Sequence, residues 1–366
     1  MTTAAITTAS RQWATRPDDE RYLSLGDLHA AVSQRKRESW TVSTHPGHLR
    51  VRGHDGEITV EFDDSTRTLN QCIPLKASHW GFQQLSQYGQ APASYLRTLP
   101  AELAAINLQW SLEHHPVRDN VLVLGQSNGA HTLRALTSAS YGRIWDEQVV
   151  SAVERVNADG RWEVPAATYS VQNPKRATTL YASDRDVFVF LVDPSHPVEV
   201  GTDTLFRGFM TWNSEVYGSV FGLTTFLYRY VCDNRMIWGA TDVQELRIRH
   251  TRGAPERFAY EGARYLKRYS EETTRPVVAQ IEAAQRYEIP HASTAGKVEE
   301  WLQARGFTSA VAKNAVAAAN MEEGDASSLW NVIQGVTAYA RQIPHANDRT
   351  MVERQAGKLM ELVSGQ

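Results

Sequence analysis

The six residues of "VFVFLV", Val187 to Val192, carry no polar side chain at either parity. A half-exposed strand alternates apolar and polar positions, so this unbroken run predicts an inner strand covered on both faces. Helices are expected to flank its sheet. The stretch that follows, "TLFRGFMTWNSE", behaves differently. Alternation puts Phe206, Met210 and Trp212 on one face, and Leu205, Arg207, Phe209, Thr211 and Asn213 on the other, a mixed face able to meet a ligand.

Other periodicities place this strand in context. "HLRVRGHDGEITVEF" alternates Leu49 and Val51, then Ile58, Val60 and Phe62, around a Gly/Asp turn, which predicts a hairpin. "NVLVLGQSNGAHTLRALTS" predicts a second one around Asn128-Gly129. "SLGDLHAAVSQRKRES" reads as a helix capped by Ser24, "PAELAAINLQWSLEHH" as a helix opening at Pro100, and "DEQVVSAVERVNADG" as one ending at Gly160. From about residue 296 the chain turns to Ala-rich helix. Leu329, Val332, Ile333, Val336 and Ala340 form one apolar stripe there, and Val352, Ala356, Leu359 and Val363 another. The expected fold is α+β: a central, largely antiparallel sheet with flanking helices, followed by a C-terminal helical region. The expected divisions are a flexible segment over 1–20, an α+β core over 21–290 and the helical region over 291–366.

Such a chain, 366 residues long, can bury a core without staples. Its two cysteines, Cys72 and Cys232, stand far apart and without ligand-spaced partners, which speaks against a disulfide framework or a structural zinc site and for a reducing cytoplasm. No stretch of eighteen apolar residues and no signal-type core occurs, so no membrane association is expected. The formal charge of −3 excludes a protein that coats nucleic acid with its whole surface, but charge is uneven along the chain. Residues 243–268 hold seven Lys or Arg against three acidic residues. "QELRIRHTRG" alternates there, with Leu246 and Ile248 inward and Arg247 and Arg249 outward.

Motifs for common chemistries are missing. "AGK" at 295–297 lacks the upstream glycine of a phosphate loop, and His114-His115 lacks companion ligands. Asp184, Asp186 and Asp193 flank one strand, but turn chemistry explains the first two. Cys232 as a nucleophile would need a base from another segment, with His250 the candidate, and a buried small hydrophobe is the simpler role. No metal and no cofactor are expected. What stands out is a set of polar residues interrupting apolar runs: Asn213, Glu215, Arg229 and Asn234. They form a candidate polar network, with Glu215 expected to pair with Arg229, either as a buried structural set or as a ligand site.

The order "YASDRDVFVFLVD", "LFRGFMTWNSEVYGS", "TTFLYRYVCDNRMIWGA", with "LRALTSASYGRIWD" upstream and "RTMVERQAGKLM" near the end, resembles the phage/plasmid-like proteins built on domain of unknown function 932. The likeness spans roughly residues 20–360. Asn213-Ser214-Glu215 match the family's "NSE" positions, and Arg229, Cys232 and Asn234 its "R-x-x-C-x-N"; Arg235 departs from the Gly or His of other members. The resemblance implies a gene of phages, plasmids and integrated elements, encoded near recombination functions, and no particular reaction.

Three functions follow as expectations. The first is a nucleic-acid-binding protein, binding or annealing single-stranded DNA in recombination. Its phosphate contacts are Arg247, Arg249, Arg252, Lys267 and Arg268 on one basic surface, with Trp212, Tyr228 and Tyr230 for stacking. The second is a structural or partner-binding protein of a mobile element. The third is an enzyme with a polar pocket around Glu215. A homo-oligomer is left open.

Overall fold

The structure, a computed structural model, describes residues 17–63, 73–114, 119–165, 178–231, 234–238, 245–271, 275–340, 343, 352 and 355–363, single positions 128, 202 and 291 apart. Its architecture is α+β, with antiparallel strands, flanking helices and C-terminal helices, and the strands divide between two sheets. The larger sheet runs β1 (Arg21–Tyr22), β8 (Leu180–Ala182), β9 (Val187–Val200), β10 (Asp203–Asn213), β11 (Phe221–Val231) and β12 (Asn234–Trp238), with β13 (Glu245–Ile248) paired to the other end of β11. The smaller runs β2 (Ser39–Thr44), β6 (Val121–Gln126), β7 (Thr132–Ser138), β5 (Leu75–Ala77), β4 (Glu57–Phe62) and β3 (Leu49–His54). Among the described residues all ladders are antiparallel except β5 with β7.

β9 is the inner strand that its composition demands. It pairs with β8 on one side and β10 on the other, and Val187 to Asp193 are buried without exception. Val187, Val189 and Leu191 face helices α1 (Leu25–Glu38), α4 (Asp146–Val156) and α5 (Ala263–Glu271), in a core with Leu28, Val153, Phe209 and Leu266. Phe188, Phe190 and Val192 face the other way, with Tyr181, Met210 and Trp212. The smaller sheet is covered by α2 (His79–Tyr88) and α3 (Ala101–His114), which supply Phe82, Leu85, Ala105 and Leu108 to its core.

Local chemistry sets the joints. Asp55 and Gly56, at φ of 51° and 77°, form the two-residue turn of the first hairpin, a left-handed pair that Asp-Gly tolerates. The second hairpin closes through a longer loop between Gln126 and Thr132. Ser24 caps α1 by accepting from Asp27 N at 3.0 Å, as expected. In each sheet an indole lies flat on a glycine of the neighbouring strand, Trp40 on Gly125 and Trp212 on Gly222, where any Cβ would collide with the ring. The C-terminal helices α6 (Arg275–Arg286), α7 (Ala295–Gln303), α8 (Ser309–Glu322) and α9 (Leu329–Ala340) build their own core. They take into it Val198, Val200 and Leu205 from the outer end of the β9–β10 hairpin. The two stripes read from the sequence there are buried. Among the described residues no helix is long and apolar enough to cross a membrane.

Candidate functional site

The loop joining β10 to β11, residues 214–220, enters the seam between the two sheets. Val216, fully buried, packs against Leu124 and Ala135 of the smaller sheet, with Trp80 and Trp145 beside it. The carbonyls of residues 214–216 are each held by a side chain. Tyr141 Oη donates to Ser214 O at 2.9 Å, Arg143 Nη1 to Glu215 O, and Gln84 Nε2 to Val216 O at 2.8 Å, joined there by Trp80 Nε1. Ser214 Oγ donates to Arg185 O at 2.6 Å and accepts from Gly218 N at 2.8 Å.

Below this loop lies a buried ionic network. Glu215 is fully buried; its Oε2 is 2.7 Å from Arg134 Nη2 of β7 and 3.7 Å from Arg35 Nε of α1. Its Oε1 accepts from Asp146 N at 2.9 Å, which places a carboxylate on the first amide of α4, where the helix dipole favours it. Asp146 in turn meets Arg35 Nη2 at 2.5 Å and Asn213 Nδ2 at 2.7 Å, and the same amide donates to Ile144 O at 2.8 Å. Burial works against the charge of Glu215, but Arg134 and Arg35, with the Asp146 amide, outweigh it and hold its carboxyl below the usual range. Burial, and then the Glu215 charge, push the Asp146 carboxyl well above its usual range.

This geometry corrects the expected pairing of Glu215 with Arg229. The β10–β11 register sets Arg229 opposite Leu205, eight residues from Asn213 and so about 26 Å up the hairpin. Two residues on either side of a long antiparallel connection meet only when they are equidistant from the turn, and Arg229 is not. Its backbone also pairs with Met236, and Asn234 opens β12 opposite Val231. The side chains of Arg229, Asn234, Tyr228 and Tyr230, and residue Cys232, lie outside the described part. Trp212 is no stacking platform: only 6% exposed, it is covered on its Gly222 side and packed with Met210.

The five expected phosphate contacts divide between two surfaces. On β13, Leu246 and Ile248 turn inward and Arg247 is exposed, as alternation predicts, and Arg249, just past the strand, is exposed too. Leu246 and Ile248 share the core that α5 covers through Leu266, so Arg247 projects from the opposite sheet face, and Arg249 follows just past the end of the strand. Lys267 and Arg268 ride on the outer side of α5, away from them. The single basic surface joining all five is therefore not formed, because a strand's outward side chains and the helix on its inward face lie on opposite sides of one sheet.

A different grouping appears at the end of the sheet. The pairs Asn213 with Val187 and Phe221 with Ile248 align the 183–186 turn, the 214–220 loop and the exit of β13. There Tyr217 is 67% exposed and holds φ at 67°, a left-handed conformation that costs a bulky residue energy and persists only where the surroundings impose it. Exposed Arg185 stacks its guanidinium 4.7 Å over the Trp80 ring on one side of the loop. Exposed Arg249 and Arg252 lie on the other, where the chain passes so close to Gly142 that a side chain there would strike the Thr251 carbonyl. His250, buried between them, stacks on Tyr141 at 4.9 Å and bonds Gly142 O through Nδ1 at 3.1 Å. The sequence signal for this grouping was Arg134, Arg143 and Tyr141, polar or aromatic residues set into or beside the apolar second hairpin just as Glu215 is set into the third.

The acidic trio separates as well. Asp186 accepts from Ser183 Oγ at 2.9 Å, which is turn chemistry, while buried Asp193 is taken by Arg161, by Ser195 Oγ at 2.7 Å and by His196. Among the described residues no three His, Cys, Asp or Glu converge as metal ligands would.

No curated protein and no solved structure matches this chain. A family match does exist: the profile described as "Domain of unknown function (DUF932)" covers residues 164–360, more than half of the sequence and the whole of the β9–β10–β11 unit with its loop. On that span the chain belongs to the DUF932 family.

Proposed function

We propose that this DUF932 protein is a nucleic-acid-binding protein of a phage or plasmid, and that it holds single-stranded DNA across the end of its larger sheet. The observation that carries this reading is Tyr217: an aromatic ring kept in the open, in a strained backbone conformation, by a loop whose carbonyls are bonded from beneath by four side chains. Strain of this kind is retained where it presents something. A base stacks on such a ring whatever its identity, and Arg185, Arg249 and Arg252 on either side suit a phosphate backbone. Single strands are favoured because their bases are free to stack.

Glu215 has a structural part in this reading. Its oxygens are taken up by Arg134, Arg35 and the Asp146 amide, so it braces the loop and offers no open face to a substrate. A second reading, a partner-binding protein, rests on α3, where Leu103, Ile106 and Trp110 lie on one helix face and are 46%, 66% and 55% exposed. Binding of an oligothymidylate, measured at two salt concentrations, separates them. If two to four phosphates are neutralised, affinity should fall roughly three- to sevenfold for each doubling of salt. Tyr217→Ala should lower it at every salt, and an Arg185→Ala, Arg249→Ala double variant should flatten the slope. Absence of binding at low salt would hand the function to the α3 face.

A further inference from the structure

Two helices bring a hydroxyl, an imidazole and a carboxylate into one chain of contacts. His29 of α1 directs Nδ1 to Glu154 Oε2 of α4 at 2.7 Å, and its Nε2 meets Ser151 Oγ of α4 at 2.9 Å. A carboxylate only accepts, so the ring proton of the neutral imidazole belongs on Nδ1, and Nε2 is left with its lone pair. Ser151 Oγ then donates to Nε2. Its other acceptor, Glu147 Oε1, is farther off at 3.3 Å, and Lys36 Nζ takes the second oxygen of that carboxylate at 2.7 Å. The hydroxyl proton is thus aimed at the base. The backbones that carry these groups are fixed: Leu28, next to His29, and Val150 and Ala152, on either side of Ser151, are buried in one core. Ser151 and Glu154, three positions apart, share one face of α4. Ser151 is half-buried, and the side chains of His29 and Glu154 stay 31% and 33% exposed, so a reagent reaches the group without the fold opening.

We propose that Ser151 is a nucleophile for acyl transfer, with His29 as its general base and Glu154 as the residue that positions the base. An ion pair between helices needs only His29 and Glu154; a hydroxyl set on the second ring nitrogen completes the order nucleophile, base, orienting acid. Ser151 Oγ attacks the carbonyl carbon of an ester as its proton passes to His29 Nε2. The bond from that carbon to the alcohol oxygen breaks, and the departing alcohol takes the proton from Nε2, leaving an acyl ester on Ser151. Water, giving a proton to Nε2, then attacks the same carbon, and Ser151 Oγ leaves with that proton. The sum is ester plus water to acid plus alcohol. Ser151 lies inside α4, where its own N–H is spent on the preceding turn and gives no help to an oxyanion. The acyl donors that suit such a site are esters whose alcohol leaves readily, not peptides. All three residues precede residue 164, where the family match begins, and the proposal does not depend on nucleic-acid binding.

The test uses the full chain with p-nitrophenyl acetate and with a fluorophosphonate, followed by absorbance and by mass spectrometry of the digested protein. Wild type should release p-nitrophenolate and carry the acetyl group on Ser151, and the fluorophosphonate should attach to the same residue. Ser151→Ala should abolish both, and His29→Gln should slow acylation about a hundredfold or more. Acylation confined to other residues, none at all, or an equal rate in wild type and His29→Gln overturns the proposal. Glu154 is read through the ring it holds. Nitrogen NMR should find the proton of neutral His29 on Nδ1 in wild type and displaced toward Nε2 in Glu154→Gln, with acylation slowed; an unchanged tautomer and rate in that variant remove Glu154 from the relay and overturn the proposal as stated. Should His29→Gln fail to fold, the wild-type protein still decides, because a neutral His29 with its proton on Nε2 cannot accept from Ser151, and that result overturns the proposal too.

Discussion

Removing Glu215 strands two guanidinium groups and one helix N-terminus together. Glu215 is the carboxylate that Arg134 bonds directly among the described residues, with Asp146 acting on it only from farther off, and an uncompensated buried charge costs about 3–5 kcal/mol. Glu215→Ala is therefore expected to lower the free energy of unfolding by that amount in urea titration, and Arg134→Ala by a similar amount. A Glu215→Leu, Arg134→Met double variant should cost much less than the sum of the single changes, because both charges leave together. His250 supplies a pH dependence. Its burial lowers its affinity for a proton, so that the folded protein titrates it at about 4 against 6.5 in the open chain. A depressed histidine takes up its proton in the unfolded state first, so its stabilising effect is complete above pH 6.5 and is lost as the pH falls from 6.5 toward 4, by up to about 3 kcal/mol. His250→Gln should flatten that limb of the stability curve, and an unchanged limb would assign the acid sensitivity to other groups.

Single elements depend on close approach as much as on charge. Gly222 lies beneath the Trp212 indole with no room for a Cβ, so Gly222→Val should expel the ring, costing about 1–3 kcal/mol and shifting Trp212 fluorescence toward that of a hydrated indole. The same contact in the smaller sheet, Trp40 on Gly125, makes Gly125→Val a parallel case. Helix α9 presents the opposite situation. Gln334 is 1% exposed in an apolar core, and neither its amide oxygen nor its nitrogen finds a partner. Gln334→Leu keeps the volume and removes an unpaid desolvation, so it is expected to raise the free energy of unfolding by about 1 kcal/mol, read as a higher denaturation midpoint. A lowered midpoint would show that the amide is bonded in solution.

Across the molecule, coupling between the sheets and the C-terminal helices rests on the outer end of the β9–β10 hairpin. Val198, Val200 and Leu205 enter the helical core, while the inner end of the same hairpin carries the loop with Tyr217. Among the described residues, the strand side chains in the helical core come from this one pair of long strands. Leu205→Asp is expected to speed amide hydrogen exchange in α6 to α9 while leaving β6 and β7 protected, and uniform loosening would show instead that the chain unfolds as one unit. The cations obey the same geometry. Arg247 and Arg249 belong to the loop end of the sheet and Lys267 and Arg268 to the helical face behind it, so charge reversal at the second pair should leave nucleic-acid affinity unchanged.

What the sequence by itself determined was periodic and local. The run from Val187 to Val192 demanded two strand neighbours and burial of both its faces; alternation placed Arg247 and Arg249 outward; Asp55-Gly56 closed its hairpin; helical spacing identified the buried stripes of the C-terminal region. Each is a property of residues a few positions apart, where backbone geometry alone sets direction. The division of strands into two sheets was not visible, because hairpins announce their own pairing and not which hairpin joins which. Nor were the partners of Glu215. Sequence showed that a charge interrupted an apolar run and needed a counter-charge; Arg134 carries the same signal, which the sequence reading passed over, and only the meeting of the sheets made the two neighbours. Tertiary structure decides such pairings because the cost of burying a charge depends on which groups reach it through space, and antiparallel register carried Arg229 away from Glu215 while the seam brought Arg35, Arg134 and Arg143 to it.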